Sequence, residues 1–337
     1  MPASASTATP PSDIAVNLEQ VTKRYLQWQR SGEVSNTLKN LLRPEQRVVV
    51  ALNQVSFQVR QGEFVAYAGA NGAGKSTTLK ILAGMLHPET GKVEVLGYDP
   101  LQQRIPLMRE LGVLFGNRTE LWWDLPIQSS FAWKKVIWDI PEATYQHNLE
   151  QALEMLELKP LLNTFARELS LGQRMRADLA LLLLHSPKLI ILDEPTLGLD
   201  VLAKRRMIDY LKQLNREKGV TVLITSHDMD DLEEMAGRLL LLSHGELAFD
   251  GTFDALRKLT TIRRHITVTT DSQVAPELER ATWLRSDGFA HLYEVNSDPR
   301  NMRLLLGELA EQPGLVDIET GKAPIEAVVA ELYRRWR

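Results

Sequence analysis

GEFVAYAGANGAGKSTTLKILAGM, residues 62–85, decides the fold class. Its first part, Glu63 to Ala68, is apolar throughout rather than alternating, as in a central strand covered on both faces. Its last part has the composition of a helix. Between them lies G-x-x-x-x-G-K-[ST], carried by Gly69, Gly74, Lys75 and Ser76, and strand–loop–helix is the context in which this pattern cradles phosphate. Glycines let backbone N–H groups curl around the phosphates and the helix N-terminus adds its dipole. Lys75 then reaches the outer phosphates, and Ser76 offers a hydroxyl to magnesium. The whole stretch Gly69, Ala70, Asn71, Gly72, Ala73, Gly74, Lys75, Ser76 and Thr77 is the expected nucleotide cradle.

Two further apolar runs, Leu189 to Leu192 and Val220 to Thr225, read as central strands, and polar motifs follow each at once. In open α/β sheets ligands sit at the carboxyl ends of strands. Strand runs alternating with helical patterns from Ile14 to about Asp250 predict a mainly parallel sheet, so the fold class is α/β, a P-loop nucleotide-hydrolase domain. LIILDEP ends in Asp193, expected to hold magnesium, and Glu194, expected to polarise the attacking water. TSHD puts His227 at the same edge. LSLGQ has the Ser170-x-x-Gln173 spacing of a capping box, and a Ser hydroxyl and Gly backbone at a helix N-terminus also form an anion site. A second phosphate site is redundant within one domain and makes sense if it serves a neighbouring subunit.

Length and composition set the frame. With 337 residues, two domains are expected; 44% hydrophobic and 24% charged residues suit an ordinary globular protein. A net charge of -4 and a pI near 6.0 leave no basic footprint, so no nucleic acid is expected. Cysteine is absent, which suits a reducing cytoplasm. Residues 1–13, MPASASTATPPSD, read as a disordered tail rather than a signal peptide. The apolar run Leu179 to Leu184 is far shorter than the roughly 18 residues a bilayer requires.

Domain expectations follow: 14–258 for the nucleotide-binding domain, with a polar, helix-compatible insertion at 26–47 and a helical subdomain at about 118–186. A small α+β appendage is expected at 259–337, with strands at His265–Thr270, Phe289–Asn296 and near Leu315–Ile318, a helix from about Pro299 and a final helix. A regulatory or dimer-supporting role is expected for it.

GANGAGKST, LSLGQ, LIILDEP, LGLD and TSHD, in this order, resemble the ATP-binding-cassette (ABC) ATPases from about Ile14 to Thr252. The resemblance implies a head-to-tail dimer of identical or related ATP-binding subunits. In it ATP with Mg2+ lies between the phosphate loop of one subunit and Ser170, Gly172 and Gln173 of the other. It implies that Asp200 couples the two sites, that His227 contacts the γ-phosphate, and that Tyr25 stacks on adenine. The family normally has Gln after the strand GVLF; here it is Asn117, one methylene shorter, expected to reach magnesium and the attacking water through its amide.

LWWDLP resembles the ATP-binding proteins of type-2 ABC exporters, which work with separately encoded membrane permeases. That implies a cytoplasmic protein, peripheral on the inner face of the membrane through its permease. Four of the seven tryptophans, Trp122, Trp123, Trp133 and Trp138, crowd one stretch. Either they form a groove for a permease helix or they pack the helical lobe. The rival function is a soluble ABC ATPase acting on ribosomes or DNA without a permease. The single LSLGQ and the absence of long coiled coils favour transport.

Overall fold

The computed structural model describes residues 13–29, 45–116, 118–260, 264–296 and 298–336. Two compact units divide between Asp250 and Gly251. The first opens with strands β1 (Ile14–Gln29), β2 (Glu45–Arg60) and β3 (Phe64–Gly69), helix α1 (Lys75–Leu82) and strand β4 (Thr90–Val95). β2, β1 and β4 form an antiparallel sheet in that order. This corrects part of the expected insertion at 26–47. Leu26 pairs with Val48, Gln27 with Arg47 and Gln29 with Glu45, so both ends of that segment are strand. β-branched residues on β2, such as Val48–Val50, favour such pairing. Residues 30–44 lie outside the described residues.

The main sheet takes the order β5-β6-β7-β3-β8-β9. Helix α2 (Arg104–Glu110) leads into β5 (Leu111–Phe115). The helical lobe follows, with α3 (Ile127–Ile137), α4 (Glu142–Met155) and α5 (Leu171–Leu183), and Pro141 stands at the N-cap of α4, where a missing N–H does no harm. Next come β6 (Leu189–Asp193), α6 (Val201–Lys218), β7 (Thr221–Thr225), α7 (Met229–Met235), β8 (Arg238–Ser243) and β9 (Glu246–Gly251). β3, β5, β6, β7 and β8 are mutually parallel. Their side chains, among them Val65, Tyr67, Ile191, Leu223 and Leu240, are fully buried, which explains their unalternating sequences. Register is what positions chemistry: Phe115, Asp193 and Thr225 lie side by side in one row at the carboxyl ends of β5, β6 and β7.

The second unit runs from Gly251. Helix α8 (Phe253–Lys258) precedes β10 (Arg264–Thr270), β11 (Ala281–Asp287), β12 (Ala290–Val295), α9 (Pro299–Ala310), β13 (Leu315–Thr320) and α10 (Ile325–Arg335). The antiparallel sheet β11-β12-β10-β13 packs Ile266, Val268, Tyr293 and Val295 against Leu305 and Leu309 of α9. The compact units thus part earlier than the boundary at 258/259. Arg257 Nε donates to Ala323 O at 3.0 Å and Lys322 Nζ to Asp254 Oδ1 at 3.0 Å, tying α8 to the C-terminal segment. β11 was not foreseen, because its residues are mostly exposed and carry no alternating signal. No helix among the described residues is long and apolar enough to cross a membrane.

Candidate functional site

The loop between β3 and α1 is shaped by its glycines. Gly74 adopts φ 111°, and a Cβ there would stand 2.3 Å from Ala51 O, so a side chain is excluded by backbone as well as by conformation. Ala70, Asn71, Gly72 and Ser76 are exposed, whereas Lys75 is buried. Lys75 Nζ donates to Gly69 O at 2.6 Å and Ala70 O at 3.3 Å. Burial lowers its pKa, against the opposing pull of Glu194 and Asp193. Both carboxylates are therefore within electrostatic range of the loop lysine.

At the end of β6, Asp193 Oδ2 accepts from Ser76 Oγ at 3.4 Å, and Oδ1 accepts from Thr225 Oγ1 at 2.8 Å. Glu194 follows in the left-handed region at φ 55°, with its N–H donating to Thr225 Oγ1 at 3.0 Å and to Thr225 O at 3.2 Å. Non-glycine residues rarely take this conformation, and such strain clusters at functional sites. His227 Nε2 lies 2.7 Å from Glu194 Oε1. Thr225, fully buried, is the member that sequence reading missed: as an ordinary strand residue it gave no motif, yet it links both acids. Ser76 and Asp193 bring together hard oxygen donors of the kind Mg2+ prefers, beside a lysine and an open glycine loop suited to phosphates.

Two expected residues, Tyr25 and Asp200, stand slightly apart. Tyr25, half-buried on β1, has its hydroxyl 3.4 Å from Thr77 Oγ1, which puts the ring beside the start of α1. Asp200 caps α6, its Oδ1 accepting from Ala203 N at 2.8 Å. Gly116 N donates to Asp193 O at 3.0 Å, so the segment that carries Asn117 leaves β5 beside Asp193; Asn117 itself lies outside the described residues.

Ser170 and Gln173 form the expected reciprocal capping box at the start of α5, with Ser170 N donating to Gln173 Oε1 at 2.9 Å and Gln173 N to Ser170 Oγ at 3.2 Å. Such a cap is worth about 1 kcal/mol. Gly172 is buried, and a Cβ there would stand 2.7 Å from Gly198 O. Among the described residues, no hydrogen bond joins this turn to the phosphate loop of the same chain.

The tryptophans split. Trp122 and Trp133 stack at 4.9 Å between centroids and stay 40% and 47% exposed, and Trp123 is 48% exposed. Trp138 instead stacks on His185 and lies beneath Lys134 Nζ. One ring thus packs the lobe, and three face outward.

With the site described, known proteins can be set beside it. A family model described as ABC transporter matches residues 52–197. YhcH of Bacillus subtilis, an uncharacterised ABC transporter ATP-binding protein, is 32% identical over 215 residues, covering 64% of this chain and 68% of its own. The chain belongs to the ABC transporter family. NatA of the same organism, another ABC transporter ATP-binding protein, is 29% identical over 212 residues, 63% of this chain and 86% of NatA. A solved dimeric ATP-binding cassette in a post-hydrolysis state, bound to ADP and Pi, is 26% identical with a TM-score of 0.59, covering 70% of this chain and 98% of that one. This protein is thus an ABC-type ATP-binding subunit with the P-loop fold expected of it.

Proposed function

We propose that this ABC protein hydrolyses ATP to drive export through a separately encoded membrane permease. The observation that carries the reading is the convergence at one sheet edge of Lys75, Ser76, Asp193 and the Glu194–His227 pair. The phosphate loop holds the polyphosphate through backbone N–H groups and Lys75, and Tyr25 stacks on the base. Ser76 and Asp193 hold Mg2+, which offsets phosphate charge when bound, and the Asn117 amide adds to this edge. Glu194 accepts a proton from the attacking water, and His227, now hydrogen-bonded to Glu194, is placed to exchange that partner for a γ-phosphate oxygen.

Completion comes from a second ATP-binding subunit, identical or related. The exposed Ser170 turn, which makes no hydrogen bond to its own phosphate loop, supports this: its hydroxyl, Gly172 and Gln173 serve the partner's nucleotide, and Asp200 couples the two sites. Hydrolysis then reopens the dimer.

The exposed rings of Trp122, Trp123 and Trp133, with Val136 69% and Ile137 66% exposed beside them on α3, support a permease-docking face. The protein then works in the cytoplasm, peripheral to the membrane. We assign the second unit a regulatory or dimer-supporting part. Purification of the tagged protein with its permease, identified by mass spectrometry, is the expected result. Recovery of ribosomes or DNA in place of a membrane protein overturns the transport reading.

A further inference from the structure

Asp178 is a carboxylate in apolar company. It lies on α5 between Ala177 and the run Leu179–Leu184, all buried, and is itself 5% exposed. Burial pushes its carboxyl up to about 6. An apolar residue at this helical position would avoid that desolvation, so the acid is kept at a cost in stability. What it holds is specific. Asp178 Oδ1 accepts from Thr119 Oγ1 at 2.8 Å and from Glu120 N at 3.0 Å.

The same segment is tied again to α3. Glu120 Oε2 accepts from Lys134 Nζ at 2.8 Å, on a lysine side chain only 9% exposed. Trp122 N donates to Ser130 Oγ at 2.9 Å. Residues 119–122 are therefore anchored to two helices of the lobe. A few residues earlier in the chain Gly116 N donates to the carbonyl of Asp193, and the helix that Asp178 occupies begins with the Ser170 turn. A single buried carboxylate thus joins the strand edge that carries Asp193 to the helix that presents Ser170–Gln173.

We infer that Asp178 is a positioning residue for the ATPase, fastening segment 118–122 to α5 so that the hydrolytic edge and the Ser170 turn move as one body. The inference rests on the ATPase reading above. Lys75 and the phosphate loop lie outside the tie, so its loss leaves nucleotide capture intact and impairs turnover. A carboxylate that served folding alone would instead change stability and leave the ratio of turnover to affinity as it was.

The full-length chain is tested as Asp178→Ala, Asp178→Asn and Thr119→Val, by ATP affinity, kcat, and amide hydrogen exchange of residues 118–122. Asp178→Ala is expected to lower kcat about tenfold, the worth of one charge-assisted hydrogen bond expressed in the transition state. ATP affinity should stay within about twofold, while exchange in 118–122 rises about tenfold or more. Asp178→Asn, whose carboxamide oxygen still accepts both bonds, should restore slow exchange and most of the turnover. Thr119→Val should lie between, and combining it with Asp178→Ala should cost less than the sum of the two, because Asp178→Ala already removes the bond from Thr119 Oγ1.

Three results overturn the inference: unchanged exchange in Asp178→Ala, an ATP affinity that falls in step with kcat, or an Asp178→Asn no better than alanine. If Asp178→Ala does not fold, Thr119→Val decides, and wild-type turnover and exchange in that variant sink the proposal. A wild-type chain without hydrolysis would count against the functional reading instead, while the exchange measurements still judge the tie.

Discussion

Two polar clusters within the first unit are built in opposite ways. At the ends of β3, β6 and β7 the acids, the lysine and the histidine each follow directly on an apolar strand, and parallel register carries them to one edge. Glu194 and His227 remain partly accessible, with side chains 24% and 56% exposed. Around Asp178 the groups come from α5, α3 and the segment after β5; Asp178 and Lys134 are buried and Glu120 reaches solvent, but each is held by a protein partner. The first cluster keeps its polar groups available to a ligand; the second spends them on protein partners. Whether the polar groups line an open phosphate loop or tie one protein segment to another, more than the number of charges, separates a site from a brace here.

This contrast can be broken by substitution, and the largest effect should fall on the open cluster. Glu194→Gln should keep ATP binding but slow phosphate release by about 10² to 10⁴, or roughly 3 to 5 kcal/mol of barrier. Near-normal turnover would remove Glu194 from its role. Lys75→Ala should weaken ATP binding itself by about 10- to 100-fold, since an ion-assisted bond to phosphate is lost. Equilibrium binding with an unchanged constant would contradict the assigned loop.

Smaller effects are expected in the helical lobe. Trp133→Ala, which also unstacks Trp122, should cost about 2 kcal/mol of permease affinity, in the range of an interface hot spot, with ATP affinity unaltered. Equal permease binding would show that this aromatic face docks nothing.

The smallest expected effect is on stability, through Asp178→Asn. Because the folded carboxyl titrates near 6, above its ordinary 3.8, the native state binds the proton more tightly than the unfolded chain, and wild-type stability falls as pH rises between those values. The Asn variant lacks this loss. The difference in melting temperature between the Asn variant and the wild type should move in the variant's favour from about pH 4 to pH 6 and then level off. A difference that does not vary with pH would mean that Asp178 is not desolvated.

The open cluster was largely legible beforehand. Gly69–Ser76, Asp193, Glu194 and His227 are legible because each sits within a few residues of a strand whose type its own apolar run declares. The Ser170–Gln173 box is legible for the same local reason. Thr225 was not, since nothing in TVLIT distinguishes a threonine that bonds two acids across a strand from one that merely packs. Asp178 was hidden because its partners, Thr119 and Glu120, stand more than fifty residues away. The pairing of Leu26–Gln29 with Glu45–Val48 was missed likewise: a polar segment has weak local preference, and its cross-strand partner decided its state.

What the amino-acid sequence determined by itself was the inventory: a phosphate loop, two acids and a histidine on strand ends, a capped helix, and a cluster of tryptophans. Each is a short-range property, set by backbone conformation and by apolar periodicity over a few residues. Tertiary structure alone decided the company those residues keep. Strand register put Asp193 beside Thr225, the parallel pairing of β6 with β7 brought His227 to Glu194, and packing of the lobe turned three tryptophans outward and Asp178 inward. Hydrogen bonds and burial depend on distance in space, and the chain must fold before that distance exists.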